Sequence, residues 1–169
     1  KQLPYLRRGL TYASYFPYLS YFATLGYNET LFTKNLLLHS ISNNQFNNYD
    51  IVWQDIKSTL STYDVAVDFA IADRDSAMNY MAFVLRNDWD TPKCIVIDCE
   101  KNLRNNYNVN TIWQAIIDSA NIQPDDNIYF APDGVLCNIP IEYLPLPNGK
   151  PMNEVYNMYR LSSTRELCF

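Results

Sequence analysis

Between Leu60 and Val65 the apolar rhythm of this chain changes from helical to extended, and that change demands a mixed fold. Val52, Trp53, Ile56 and Leu60 recur mainly at three- and four-residue steps, the spacing of one helix face, and Asp50 stands where a cap is expected. After Ser61-Thr62 the period becomes two. Val65, Val67, Phe69 and Ile71 alternate with Ala66, Asp68, Ala70 and Ala72, which predicts a strand.

The rest of the chain repeats these two rhythms. Lys1 to about Asn48 reads as helical, broken at Pro17. A second helix there is expected to start at Asn28, with Glu29 in its first turn, and to end at the Asn43-Asn44 and Asn47-Asn48 pairs. Tyr80 to Leu85 and Cys94 to Asp98 predict two further strands, and the short Asp- and Asn-rich links favour an antiparallel meander. Asn102 to Asn110 is polar and reads as a loop. Ile112, Trp113, Ile116, Ile117 and Ala120 form a helix face. Strands follow at Ile128–Phe130 and Val155–Leu161, with a turn at Asn148-Gly149 between them.

Composition limits the function more than the fold. The 169 residues suffice for one well-cored domain, and 48% hydrophobic with 18% charged residues describes a globular chain. A net charge of -5 leaves no field for phosphates, so a nucleic-acid partner is not expected despite 15% aromatic residues. No apolar run reaches the roughly 20 residues that span a bilayer. One His and four Cys, with no C-x-x-C pair, leave a metal site without ligands, and four Gly are too few for a phosphate cradle. No cofactor is expected. Nothing in the Cys spacing calls for disulfides, Cys94 and Cys137 read as small buried hydrophobes, and a cytoplasmic setting is favoured. The first residue is Lys and no signal pattern follows it, so the chain is expected to be cut from something longer.

The most specific local signal lies near the carboxyl end. Ile128, Tyr129 and Phe130 run into Pro132-Asp133-Gly134, a tight turn in which the Asp133 side chain is expected to bond its own turn amides. Val135-Leu136 reads as a resumed extended run, and Ile139-Pro140-Ile141-Glu142-Tyr143-Leu144 places Pro where a first helical turn tolerates it. Arg160 to Leu167, RLSSTREL, comes next, with Ser163 or Thr164 able to cap a helix that holds Glu166 in its first turn.

This order of strand, PDG turn, buried pair and I-P-x-E-x-L resembles the core of the CHAT domain family, caspase-like domains that usually follow tetratricopeptide helices. Asn28 to Leu38, NETLFTKNLLL, is similar to that family's helical lead-in, commonly written Y-N-x-x-L-x-x-K-x-x-L-L. Trp53-Gln54-Asp55-Ile56 with Leu60, then Asp64 to Phe69, is similar to its W-x-D-I…L…A-I-E-F opening, and Thr111-Ile112-Trp113 to the helix before the PDG strand. The resemblance implies a partial caspase-like layered α/β domain: residues 1–48 as helical lead-in, residues 49–169 as the amino-terminal portion of the domain, with an antiparallel meander. In relatives that are peptidases, a His and a Cys act downstream of the RLSSTREL-like strand, on the ends of later strands.

No candidate for that dyad stands in this chain. His39 is the lone imidazole, on the Phe32, Leu36 edge of a helix, and reads as a packed or surface residue. Cys168 adjoins the last residue and is given no role. The catalytic set is therefore empty, and no metal ligands are assigned. Arg165 is the one candidate binding residue: the guanidinium could shape a pocket for a substrate carboxylate or carbonyl, beside a purely structural reading. Asp73, Asp75 and Asp125-Asp126 are expected in loops, as solvated carboxylates without the further ligands calcium needs. The Tyr-rich front, Tyr5 to Tyr27, reads equally as packed helices or as an interface.

Two functions are thus expected to compete. One is a non-catalytic portion of a CHAT domain whose parent is a cysteine peptidase or peptidase-like switch. The other is a non-enzymatic interaction module whose open sheet edge takes a protein or peptide strand, or a second copy.

Overall fold

A computed structural model describes residues 8–41, 51–105 and 110–169. It is an α/β fold in three layers, with a five-stranded mixed sheet at the centre. The strands are β1 (Asp64–Arg74), β2 (Ala77–Arg86), β3 (Lys93–Cys99), β4 (Asn127–Ala131) and β5 (Asn157–Arg160), in the order β3-β2-β1-β4-β5. The first three form the antiparallel meander expected from their short links. β4 and β5 instead run parallel to β1, because helical crossovers bring the chain back to the same end of the sheet each time.

β1 is central and buried on both faces, and its two faces differ in size. Val65, Val67 and Phe69 point into one core, with Trp113, Ile116, Ile128 and Phe130. Ala66, Ala70 and Ala72 point into the other, where small side chains let helices approach closely. Over that alanine face lie α1 (Arg8–Tyr15), α2 (Ser20–Ile41) and α3 (Trp53–Thr59). Tyr27 of α2 stacks on Phe83 of β2, with centroids 5.7 Å apart. The opposite face carries a π-helical turn (Asn110–Gln114) leading into α5 (Ala115–Ala120), which presents Ile112, Trp113, Ile116 and Ala120 to the core as its apolar spacing predicts.

Several sequence expectations need correction. α2 runs straight through Asn28, which caps nothing in its own helix. Its Oδ1 accepts from Trp53 N at 3.0 Å, at the start of α3. Glu29 likewise accepts from the Gly9 and Leu10 amides at the start of α1 (3.1 and 3.0 Å). Both residues satisfy helix amino ends, but those of neighbours. Asp50 and the Asn43-Asn44 and Asn47-Asn48 pairs lie outside the described residues; at the start of α3, Asp55 Oδ2 accepts from Val52 N at 2.8 Å. The 102–110 stretch begins inside a helix, α4 (Glu100–Asn105). Val135-Leu136 is not extended but part of a 3-10 turn (Gly134–Asn138), and Ile141–Tyr143 is another, entered from Pro140. The Asn148-Gly149 turn forms, with Gly149 at φ 82°.

Two of the acidic residues, Asp73 and Asp126, also differ from expectation, while Asp75 is in a turn as expected. Asp73 is within β1, and Asp126 is buried and paired with Arg86 at 2.9 Å. Asp75 stands with Ser76 at the tip of the β1–β2 hairpin, both at positive φ as a two-residue primed turn requires. Among the described residues no group of three or more His, Cys, Asp or Glu could hold a metal ion. No described helix is long and apolar enough to cross a membrane.

Candidate functional site

β1, β4 and β5 all point the same way, and the ends of β4 and β5 coincide with the middle of β1, where Asp68 pairs in register with Ala131. Crevices at the carboxyl ends of parallel strands are where α/β sheets place their functional groups. Here the position holds a buried polar cluster. Asp68, fully buried, lies 2.5 Å from the Lys34 ammonium of α2. Lys34 Nζ also donates to the Ala131 and Pro132 carbonyls, at 2.9 and 3.1 Å. The other oxygen of Asp68 accepts from both the amide and the hydroxyl of Thr164, at 3.0 and 2.7 Å. Since the Thr164 hydroxyl gives its proton to Asp68, the 2.8 Å bond to Tyr27 must run from the phenol to Thr164. Burial, then the nearby Asp68 carboxylate, pushes the Tyr27 phenol well above its ordinary pKa, so it stays a proton donor at neutral pH.

Lys34 Nζ is thus closed by two carbonyls and the ion pair, while Asp68 Oδ1 has that ion pair and accepts no hydrogen bond. The cluster ties α2, β1, the end of β4 and the Thr164 segment together. Sequence reasoning assigned Lys34, Asp68 and Tyr27 no part in it. The available signal was a single carboxylate inside an apolar strand with Ala and Val before it and Phe after it, a residue type that is rarely buried unless paired.

Directly beyond Ala131 and Pro132, the PDG turn is set as expected: Asp133 Oδ1 accepts from Gly134 N at 2.8 Å. Gly134 is at φ 53°, and a Cβ there would stand 2.2 Å from Tyr80 Oη and 2.4 Å from Ile71 Cδ1. The Tyr80 hydroxyl accepts from Val135 N at 2.8 Å, which locks the following 3-10 turn to β2. Gly134→Ala combines left-handed backbone with overpacking and is expected to cost roughly 2–4 kcal/mol, read from the midpoint of urea unfolding. A change under about 0.5 kcal/mol would mean that the turn is not held against Tyr80.

Ser163 caps the last 3-10 turn (Thr164–Cys168), and Glu166 Oε1 reaches back to Ser162 N and Ser163 N at 2.8 and 3.3 Å, as the sequence predicts. Arg165, the candidate binding residue, is 5% exposed, and burial lowers its pKa. Among the described residues, three clefts of about 430 to 520 Å³ are lined by other side chains and not by Arg165. One of these, at the amino ends of the parallel strands, contains Arg86 and Lys93, but both are bonded internally, to Asp126 and to the Ser119 carbonyl.

The thiols are dispersed. Cys94 is buried, and burial pushes its pKa up to about 12. Cys137 is exposed, contrary to the sequence reading, although partial desolvation and the Asp133 carboxylate still raise its pKa. Desolvation raises Cys168 too. The backbone of His39 lies within α2, and its side chain lies outside the described residues. Compared with known proteins, this chain matches no family model and no curated sequence.

Proposed function

We propose that this chain is the amino-terminal portion of a caspase-like CHAT domain, acting as scaffold without catalysis of its own. The observation that carries this reading is a convergence. The pieces of sequence that resemble the family lie far apart in the chain: the Lys34 lead-in, the Asp68 strand, the Ala131-Pro132 strand end and the Thr164 segment. All four meet in one buried cluster, and the Lys and the acidic position of the two separate patterns are the pair in contact. Chance resemblances would have no reason to share a hydrogen-bond network. In the parent protein the reaction is peptide-bond hydrolysis through a Cys thiolate carried by later strands.

The open side of the sheet supports the same reading. Among the described residues β5 has a strand on one flank only, and next to that free edge Tyr129 and Tyr159 stack at 4.9 Å, the latter 47% exposed. A further strand would pair and cover both. The same edge supports the second reading, an interaction module that takes a partner's strand.

A thiol-reactive peptide inhibitor separates them. The thiolate is the nucleophile, and at a pKa of about 12 only about one Cys94 in 10⁵ is ionised at pH 7. This chain is therefore expected to hydrolyse no peptide and to be labelled no faster than a free cysteine peptide, whereas the full-length gene product is labelled at a Cys beyond Phe169. Hydrolysis that tracks labelling of Cys94, Cys99, Cys137 or Cys168 would overturn the scaffold reading. An unlabelled, inactive full-length product would leave the interaction module.

A further inference from the structure

Two dipeptides of this chain, Asp133-Gly134 and Asn148-Gly149, set a side-chain carbonyl beside the peptide nitrogen of a glycine, which has no Cβ to obstruct ring closure. Their surroundings are opposite. Gly134 is wedged against Tyr80 and Ile71, and its N–H is held by Asp133 Oδ1. A Cβ on Gly149 would meet nothing within 4 Å, and residues 147–150 are all exposed. Pro147-Asn148-Gly149 forms a hairpin loop that closes on the left-handed Gly149, at φ 82°. Gly149 N donates to the Leu146 carbonyl and Leu146 N to the Lys150 carbonyl, each at 2.8 Å. Behind the tip, Pro145 pairs with Pro151, and the amide of fully buried Met152 donates to the Leu144 carbonyl at 3.0 Å. The loop thus faces solvent from a fixed base.

Asn148 is the only asparagine of the sequence that precedes a glycine. Its Oδ1 accepts from Lys150 N at 3.0 Å, so a backbone donor stands where negative charge grows when Cγ is attacked. The attacking atom is the adjacent Gly149 nitrogen, tethered to Cγ through a small ring, an arrangement of high effective concentration. To reach Cγ it gives up one exposed turn bond, to Leu146, of the kind that opens locally without global unfolding. Asp133-Gly134 lacks both advantages: its side chain carries no amine to expel, and its glycine is packed.

We propose that Asn148 is a self-modifying site, which deamidates through a cyclic imide with Gly149 and takes water as its only co-reactant. Hydroxide removes the Gly149 N–H proton, the nitrogen bonds to Asn148 Cγ, and the Cγ–Nδ2 bond breaks as Nδ2, protonated by water, leaves as ammonia. Water then opens the imide. Attack at Cγ gives aspartate. Attack at the main-chain carbonyl gives isoaspartate, whose backbone runs through Cγ and lengthens the loop by one atom. No electron is transferred, and either product sets a carboxylate close to Lys150. The test incubates the whole folded chain at mildly alkaline pH beside a free Leu-Pro-Asn-Gly-Lys peptide. Peptide mapping by mass spectrometry locates the conversion, and an isoaspartate-specific methyltransferase reports the product. Conversion at Asn148 ahead of every other asparagine is expected, at a rate that rises with hydroxide. Asn148→Gln, which must close a larger ring, should lose methyl acceptance by about tenfold or more at an unchanged melting temperature. A folded chain that keeps Asn148 intact after the peptide has converted, or that converts only in urea, would overturn the proposal. So would undiminished methylation of the Gln variant, since the reacting residue would then lie elsewhere.

Discussion

Asp68→Leu is expected to destabilise the protein by about 3–5 kcal/mol, because it leaves the Lys34 ammonium buried without a counter-charge. The two Thr164 donors lose their acceptor in the same step. Against a total stability of about 5–15 kcal/mol, this is a loss of roughly 6–20 °C in melting temperature for a chain of this length. The cause is the uncompensated charge more than the missing contact, and that distinction can be measured. The double variant Lys34→Met, Asp68→Leu removes both charges and should melt above Asp68→Leu alone. Thermal unfolding of the two variants decides it. An Asp68→Leu protein melting within 2 °C of the parent, or a double variant no better than the single, would show that the pair does not organise this end of the sheet.

Trp113→Ala should be comparably damaging, at about 3–5 kcal/mol, for a different reason. The Trp113 indole is fully buried and stands edge-on to Phe69 and Phe130, with centroids at 5.6 and 5.5 Å. Its Nε1–H donates to the Ile141 carbonyl at 3.0 Å. Truncation thus opens a cavity between helix and sheet and frees the 3-10 turn that follows Pro140. Trp113→Phe keeps most of the volume and leaves the Ile141 carbonyl without its donor, so about 1–3 kcal/mol is expected there. Urea titrations of both variants would resolve the packing and hydrogen-bond contributions, and equal losses for Phe and Ala would contradict this division.

Much of the architecture was legible because single elements announce themselves by period. Val65 to Ile71 could only be a strand, and Ile112 to Ala120 only a helix face, whatever packed against them. The Ser163–Glu166 cap was equally legible, since both partners lie within one turn. What escaped depends on partners distant in sequence. Asn28 and Glu29 were read as the start of their own helix, yet their acceptors are used by residues 25 and 20 positions away. Short links correctly implied antiparallel neighbours for β1 to β3, but the parallel placement of β4 and β5 is a property of the crossovers, which periodicity does not encode. Lys34 and Asp68 are 34 residues apart, and although Asp68 stands out inside an apolar strand, nothing local names Lys34 as its partner. Val135-Leu136 looked extended because apolar pairs are ambiguous over so short a run, and the bond from Val135 to Tyr80 decides the matter.

The borrowed caps of α2 bear on how the amino-terminal layer assembles. α1 has eight residues and α3 seven, below the roughly 12–15 at which an isolated helix begins to hold in water. Their first amides are closed by Glu29 and Asn28, adjacent side chains on a single turn of the 22-residue α2. Removing both acceptors, as in Asn28→Ala with Glu29→Ala, is therefore expected to loosen both short helices while α2 keeps its own backbone bonds, which amide hydrogen exchange would read. One dipeptide thus joins the amino ends of two helices that are far apart in sequence.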